Sequence, residues 1–142
     1  MKIKKECPEG NLVLRTLAMP SDANANGDIF GGWIMSQMDI GGGIFAKEIA
    51  NGRVVTAAVN NIVFLSPVAV GDIICCYAKT TNIGHSSISI NIELWSKSVT
   101  DCHICKREFV TEAIFVYVAV DENNRPRNLS MATKENVDTI LT

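Results

Sequence analysis

The stretch Phe30-Gly-Gly-Trp-Ile-Met-Ser-Gln-Met-Asp39-Ile-Gly-Gly-Gly-Ile-Phe-Ala-Lys-Glu-Ile-Ala50 decides how this chain is read. Its apolar positions recur at helical spacing from Phe30 or Trp33 to about Ala50, and Asn51-Gly52 is a stop signal. At a hundred degrees per residue, Ile34, Met38, Gly41, Phe45 and Ile49 form one stripe. Met35, Asp39, Gly42, Ala46 and Ala50 form a second beside it. A helix this apolar is expected to be buried on most sides, by its own sheet or by a partner subunit. Gly41-Gly42-Gly43 costs roughly 1 kcal/mol per glycine relative to alanine in a helix interior. Something must therefore come close to the helix there, either a curved sheet or a ligand running past the Asp39 face.

Upstream, residues 1–10 read as a loose arm, and Leu12 to Ala18 as a short strand closed by Met19-Pro20 and an asparagine-rich loop. Downstream of the helix the period changes to two. Val54 to Leu65 is a strand candidate, punctuated by Pro67 and Gly71-Asp72, and Ile73 to Thr81 follows. After a turn at Asn82 to His85, Ser87 to Trp95 gives the cleanest alternation. Ile88, Ile90, Ile92 and Leu94 fall on one face, with Ser89, Asn91 and Glu93 on the other. Phe109 to Val120 is a β-branched and aromatic run that ends at Asp121-Glu-Asn-Asn124. The order β-α-β-β-β-β with short links favours antiparallel neighbours, one sheet carrying one helix: an α+β layout. Residues 11–127 read as one domain, and 128–142 as a polar tail able to form a short terminal helix around Ile140-Leu141.

Composition removes several functions. At 142 residues and a net charge of -2, with no basic stripe interleaved with aromatics, nucleic acid is not the expected partner. The apolar runs are far too short for a membrane span, and no signal-peptide core follows the basic N-terminus. The expected compartment is the cytoplasm. Five cysteines suggest no disulfide framework. Cys102-His-Ile-Cys105 has the spacing of half a zinc site but lacks a second pair, so no metal is expected. No nucleophile elbow, phosphate loop, dinucleotide fingerprint or metalloprotease motif is present, and no cofactor is expected.

What remains is Asp39, an ionisable group amid apolar neighbours. One reading makes it a structural carboxylate bonded to nearby backbone or an asparagine. The other makes it a general base or nucleophile. Asn24 and Asn26 either build the loop, since asparagine forms local turns, or supply an amide that polarises a carbonyl or orients a water. Gly31-Gly32 opens the helix, where unpaired N–H groups favour negative charge and a developing oxyanion would fit. His85 and His103 both lie at expected turns without a nucleophile partner. Gly84-His85-Ser86-Ser87 is a turn into a strand whose N–H and hydroxyl groups suit phosphate, a weak pattern alone.

The blocks Leu14 to Pro20, Asp22 to Asp39, Ala46 to Ala50, Gly52 to Thr56, Phe64, Pro67 to Asp72, Ser87 to Trp95 and Tyr117 to Asp121 carry a resemblance. Together they make the chain similar, over roughly residues 12 to 127, to the hotdog-fold acyl-coenzyme A thioesterases, the short acyl-CoA hydrolases of the YciA type. The resemblance implies a hotdog fold, with the long antiparallel sheet wrapped around the helix at about residues 31–50. It also implies dimers joined through a continuous sheet, assembling further into hexamers, with the active site at the dimer interface. Hydrolysis of acyl-CoA to free acid and CoA would use Asp39 as general base or nucleophile and Asn24 of the neighbouring chain. The amides of Gly31 and Gly32 would polarise the thioester. Gly84, His85, Ser86, Ser87 and Arg53 would bind CoA, and Met35 and Phe64 would line the acyl pocket. Two departures stand out: Asn60-Asn61, where relatives often carry an acidic and a small residue, and His85, where a permanent cation is sometimes found. A hotdog dehydratase would need a cleft histidine, and none lies between residues 1 and 84. A non-catalytic acyl-CoA-binding protein of the same fold and a structural oligomer with a vestigial site are the remaining alternatives.

Overall fold

The computed structural model describes residues 5–99 and 106–130. Strand β1 spans Asn11–Leu17, helix α1 Gly31–Ala50, β2 Val54–Asn60, β3 Ile73–Ile83, β4 Ser87–Lys97 and β5 Glu108–Ala119. All four pairings are antiparallel, and the sheet order is β1-β3-β4-β5-β2. The strands on either side of α1 in sequence therefore lie at opposite edges of the sheet. The helix joining them crosses the concave face and touches every strand.

The period-two pattern explains the core. Ile88, Ile90, Ile92 and Leu94 are fully buried, as is the helix stripe Ile34, Met38, Phe45 and Ile49 that meets the sheet. Burying each such side chain contributes about 1.5–3 kcal/mol. The glycines settle which neighbour comes close. A methyl at Gly41 would sit 2.9 Å from Val13 Cγ2, and one at Gly42 would sit 2.2 Å from Ile92 Cδ1 and 2.5 Å from the Tyr117 hydroxyl. At these two positions the sheet makes the approach. Helix α1 ends where Asn51 takes a left-handed conformation, and Arg127 Nη2 donates to the Ala50 carbonyl at 2.9 Å. That guanidinium meets the negative end of the helix.

One expectation is corrected. The strand expected over Val54 to Leu65 stops at Asn60, because Asn61 turns to a φ of 55°. The chain still follows β5 beyond it: Leu65 N–H donates to the Val110 carbonyl and Thr111 Oγ1 to the Val63 carbonyl. The face of β4 opposite the helix is also covered, with Glu93 and Trp95 buried there. Lys5, in the segment expected to be a loose arm, reaches Glu93 and Glu112 at 2.9 Å each. Within the single chain α1 is buried on its sheet side, and Ile40 and Ile44 are left about half exposed at 51% and 48%.

The two-residue spacing Cys102-His-Ile-Cys105 and the tail beyond Ser130 lie outside the described residues. Among the described residues no group of three metal-ligating side chains forms, and no helix is long and apolar enough to cross a membrane.

Candidate active site

Register brings the site together. Thr56 on β2 stands opposite Tyr117 on β5, on the sheet face that α1 crosses. Thr56 Oγ1 donates to Asp39 Oδ1 at 2.7 Å, and the Tyr117 hydroxyl donates to the same oxygen at 3.0 Å. The Tyr117 hydroxyl also lies 3.2 Å from the Asp39 carbonyl. Asp39 Oδ2 has no partner among the described residues. Asp39 was expected to lie inside apolar packing; in the chain by itself it is only partly buried. Met35 and Asp39 of the second stripe lie beside β2 at the edge of the sheet, where the carboxylate meets open clefts.

Asp39 and Thr56 line two of these clefts. One, of about 230 Å³, is walled by Gly32, Met35, Ser36, Val59 and Phe115 as well. The other, of about 250 Å³, extends past Ile40, Gly43, Ile44 and Lys47 to Val54 and Tyr117. Expected site residues Gly32, Met35 and Asp39 thus share one cavity. Gly31 begins the helix, no side chain caps that end, and the first N–H taken by backbone is that of Ile34, 3.2 Å from the Phe30 carbonyl. The amides of the first turn therefore remain available to an anion. Phe64 packs against Gly31, its ring atoms 3.3 Å from where a methyl would stand.

Asn24 is not brought to Asp39 within the chain. Its Oδ1 accepts from the N–H groups of Asn26 at 2.9 Å and Asp28 at 3.2 Å, so it builds the loop. Its Nδ2 has no partner among the described residues. Gly84 to Ser87 and Arg53 also lie apart from the clefts at Asp39. They meet at one end of the sheet, flanking the end of β5: Ala119 N–H donates to the Ser86 carbonyl, and Val120 N–H to the Arg53 carbonyl. Arg53 lines a separate cavity of about 460 Å³ with Asp121, Glu122 and Arg127, and its Nη2 is 2.6 Å from Asn124 Oδ1. Exposed His85 holds its place through its carbonyl, which accepts from Leu129 N–H at 2.7 Å.

Thr56 and Tyr117 escaped the sequence reading. Nothing in helical periodicity points to them. The available signal was a hydroxyl on inward parity within each strand, Tyr117 sharing the parity of Phe115 and Ala113. Burial, then the charge of Asp39, push the Tyr117 phenol well above its ordinary value, so it stays a donor.

The family model described as Thioesterase superfamily matches residues 26–103, which hold α1, Asp39 and Thr56. The chain belongs to the thioesterase superfamily. The protein of Salmonella typhimurium named Acyl-CoA thioester hydrolase YciA is 65% identical over 122 residues, covering 86% of this chain and 92% of that protein. A hexameric thioesterase from Yersinia pestis is similar at 64% identity and a TM-score of 0.83, covering 87% of this chain and 98% of that one. A hexameric hotdog fold thioesterase of Campylobacter jejuni is 40% identical, with a TM-score of 0.85 and coverage of 91% and 97%. The single helix wrapped by a five-stranded antiparallel sheet is the hotdog fold of this superfamily.

Proposed function

We propose that this thioesterase superfamily member hydrolyses acyl-CoA to a free acid and coenzyme A, with Asp39 as the reacting carboxylate. The cleft that joins Gly32 at the helix start to Asp39 and Thr56 carries the reading. A thioester carbonyl laid against the first-turn amides puts its developing negative charge at the positive end of α1. Asp39 Oδ2 then takes a proton from a water whose oxygen attacks the carbonyl carbon. Collapse of the tetrahedral intermediate breaks the C–S bond, and the CoA thiolate is protonated as it leaves. The alternative route has Oδ2 attack the carbonyl directly, giving a mixed anhydride that water opens. Met35, which lines that cleft, and Phe64 would contact the acyl chain.

The same reading needs a second copy of the chain. Strand β2 has an open edge, with Val55, Thr56, Ala57 and Ala58 exposed, and Ile40 and Ile44 are uncovered on the adjoining helix. A neighbour on this margin would continue the sheet, cover the apolar residues and enclose Asp39. Its Asn24, with Oδ1 engaged in the loop, would offer Nδ2 to the thioester oxygen. Relatives named as hexamers support a trimer of such dimers. Gly84 to Ser87 and Arg53 would bind the CoA moiety, and no resident cofactor enters the scheme. The free thiols of Cys7, Cys75 and Cys76 fit a reducing, cytoplasmic setting.

A panel of acyl-CoA substrates with free-thiol detection tests the activity. Asp39→Asn should abolish turnover while leaving CoA binding and melting temperature close to the parent's; undiminished turnover would sink the assignment. Single turnover in ¹⁸O-labelled water separates the routes, since label in Asp39 itself marks the anhydride.

A further inference from the structure

The hydrolytic scheme leaves one buried hydroxyl without a task. Tyr117 is 1% exposed, and its ring lies nearly parallel to Phe115, with centroids 6.3 Å apart. Its oxygen and the adjoining ring edge reach the underside of α1, and Gly42 leaves them room. A β-carbon at that position would stand 2.2 Å from Ile92 Cδ1 and 2.5 Å from the hydroxyl oxygen, too close for either neighbour to keep its place. The helix thus tolerates a glycine in its interior, against its own propensity, at the one turn where the tyrosine enters.

The consequence falls on the carboxylate. Tyr117 and Thr56 both donate to Asp39 Oδ1, at 3.0 and 2.7 Å. Two donors on one oxygen fix the rotamer and make the two oxygens unequal, leaving Oδ2 towards the clefts. Since the same hydroxyl also lies 3.2 Å from the Asp39 carbonyl, it ties the side chain to its own main chain. Thr56 cannot do this alone, because it is exposed on an edge strand. Tyr117 is the buried and rigid member of the pair.

We propose that Tyr117 is a positioning residue for the reaction: admitted by Gly42, its hydroxyl clamps Asp39 Oδ1 and presents Oδ2 as the oxygen that acts on the thioester. The inference rests on the reading of Asp39 as the reacting carboxylate. A purely structural tyrosine, satisfied by the Asp39 carbonyl, would affect stability without selectively slowing turnover.

Steady-state kinetics of the full-length chain on an acyl-CoA substrate decide between them. Tyr117→Phe keeps the ring and removes the clamp; kcat should fall about tenfold, with KM within about twofold, the loss expected for one hydrogen bond to a charged group. Gly42→Ala should lower kcat in the parent chain and lower it less on the Tyr117→Phe background, because the clash with Ile92 Cδ1 is common to both and the hydroxyl is already gone in the second. Asp39→Asn serves as the control. Residual turnover near the parent's in Asp39→Asn overturns the reading of Asp39. Loss of turnover there, together with an unchanged kcat in Tyr117→Phe, overturns the role of Tyr117 alone. Should Tyr117→Phe fail to fold, Gly42→Ala in the parent carries the test, and an unchanged kcat in that variant overturns the proposal.

Discussion

Thr56 and Tyr117 are register partners on adjacent strands, and their hydroxyls end on the same carboxylate oxygen of Asp39. An Asp carboxylate on a helix has several rotamers available, and a reaction that needs one of them gains from donors that hold it. Thr56→Val keeps the branched shape and removes the donor. It should lower kcat about tenfold at nearly unchanged melting temperature, since the side chain is exposed, while Thr56→Ser retains most of the rate. A kcat in Thr56→Val equal to the parent's would dismiss the hydroxyl as a spectator.

Lys5 sits between two acids that face one another across β4 and β5, Glu93 and Glu112. Glu93 is fully buried, receives the indole N–H of Trp95 at 2.9 Å, and depends on the Lys5 ammonium for its charge balance. Burial of Lys5 works against its charge, but the hydrogen bonds to Glu93 and Glu112 outweigh it and raise its pKa. Lys5→Met leaves a buried carboxylate unpaired beside a second one, and should destabilise the chain by about 3 kcal/mol. Adding Glu93→Gln should recover much of that loss. Urea melts of the single and double variants check both statements, and a neutral Lys5→Met would show the contact to be dispensable.

Alkaline pH should weaken the fold from a defined point. Burial pushes the Cys76 thiol up to about 12 from an ordinary 9.0, with Cys75 adding to the effect. A group whose folded value is raised contributes its full stability below the unfolded value. That contribution is then lost as pH climbs towards the folded value. Above pH 9 the unfolded chain therefore releases a proton that the folded chain keeps, and stability falls by about 1.4 kcal/mol per pH unit from this group. The urea midpoint should decline between pH 9 and 10, and Cys76→Ala, weaker at pH 8, should decline less steeply. Parallel slopes would remove Cys76 as the cause.

Asn61, at a φ of 55°, is where the chain leaves the β2 ladder and redirects towards Phe64. A β-branched side chain resists that conformation, so Asn61→Val should cost about 1–2 kcal/mol, and Asn61→Gly close to nothing. Thermal melts of the two variants provide the comparison. Equal losses in both would point to the asparagine side chain instead of the backbone.

Local pattern was legible, and partners distant in sequence were not. The stripe Ile34, Met38, Gly41, Phe45 and Ile49 and the alternation Ile88 to Leu94 announced the buried faces, because periodicity records which side of an element avoids water. The same alternation was silent on the burial of Glu93, since a polar face looks alike whether or not an arm from 88 residues away covers it. Asn61 broke a strand that hydrophobic pattern alone extended to Leu65, turn chemistry overriding β-propensity. Asp39 was conspicuous as a charge among apolar residues. Its partners Thr56 and Tyr117 were hidden, because pairing register across an edge strand is not written in either strand by itself. Asn24 showed the reverse: the loop-building role legible from its residue type is the one it performs inside the chain.

The glycines of α1 also bear on the order in which the molecule assembles. A helix carrying Gly41, Gly42 and Gly43 in succession is a poor nucleus by itself and gains its stability from the sheet that presses against it. The ladders that make that sheet join β1 to β3 across the whole of α1 and β2, and β2 to β5 across β3 and β4. Folding is therefore expected to wait on long-range strand pairing, giving this chain the slow rates of high-contact-order β proteins despite its 20-residue helix. The carboxylate at Asp39 acquires its geometry last, when helix and sheet finally close on one another.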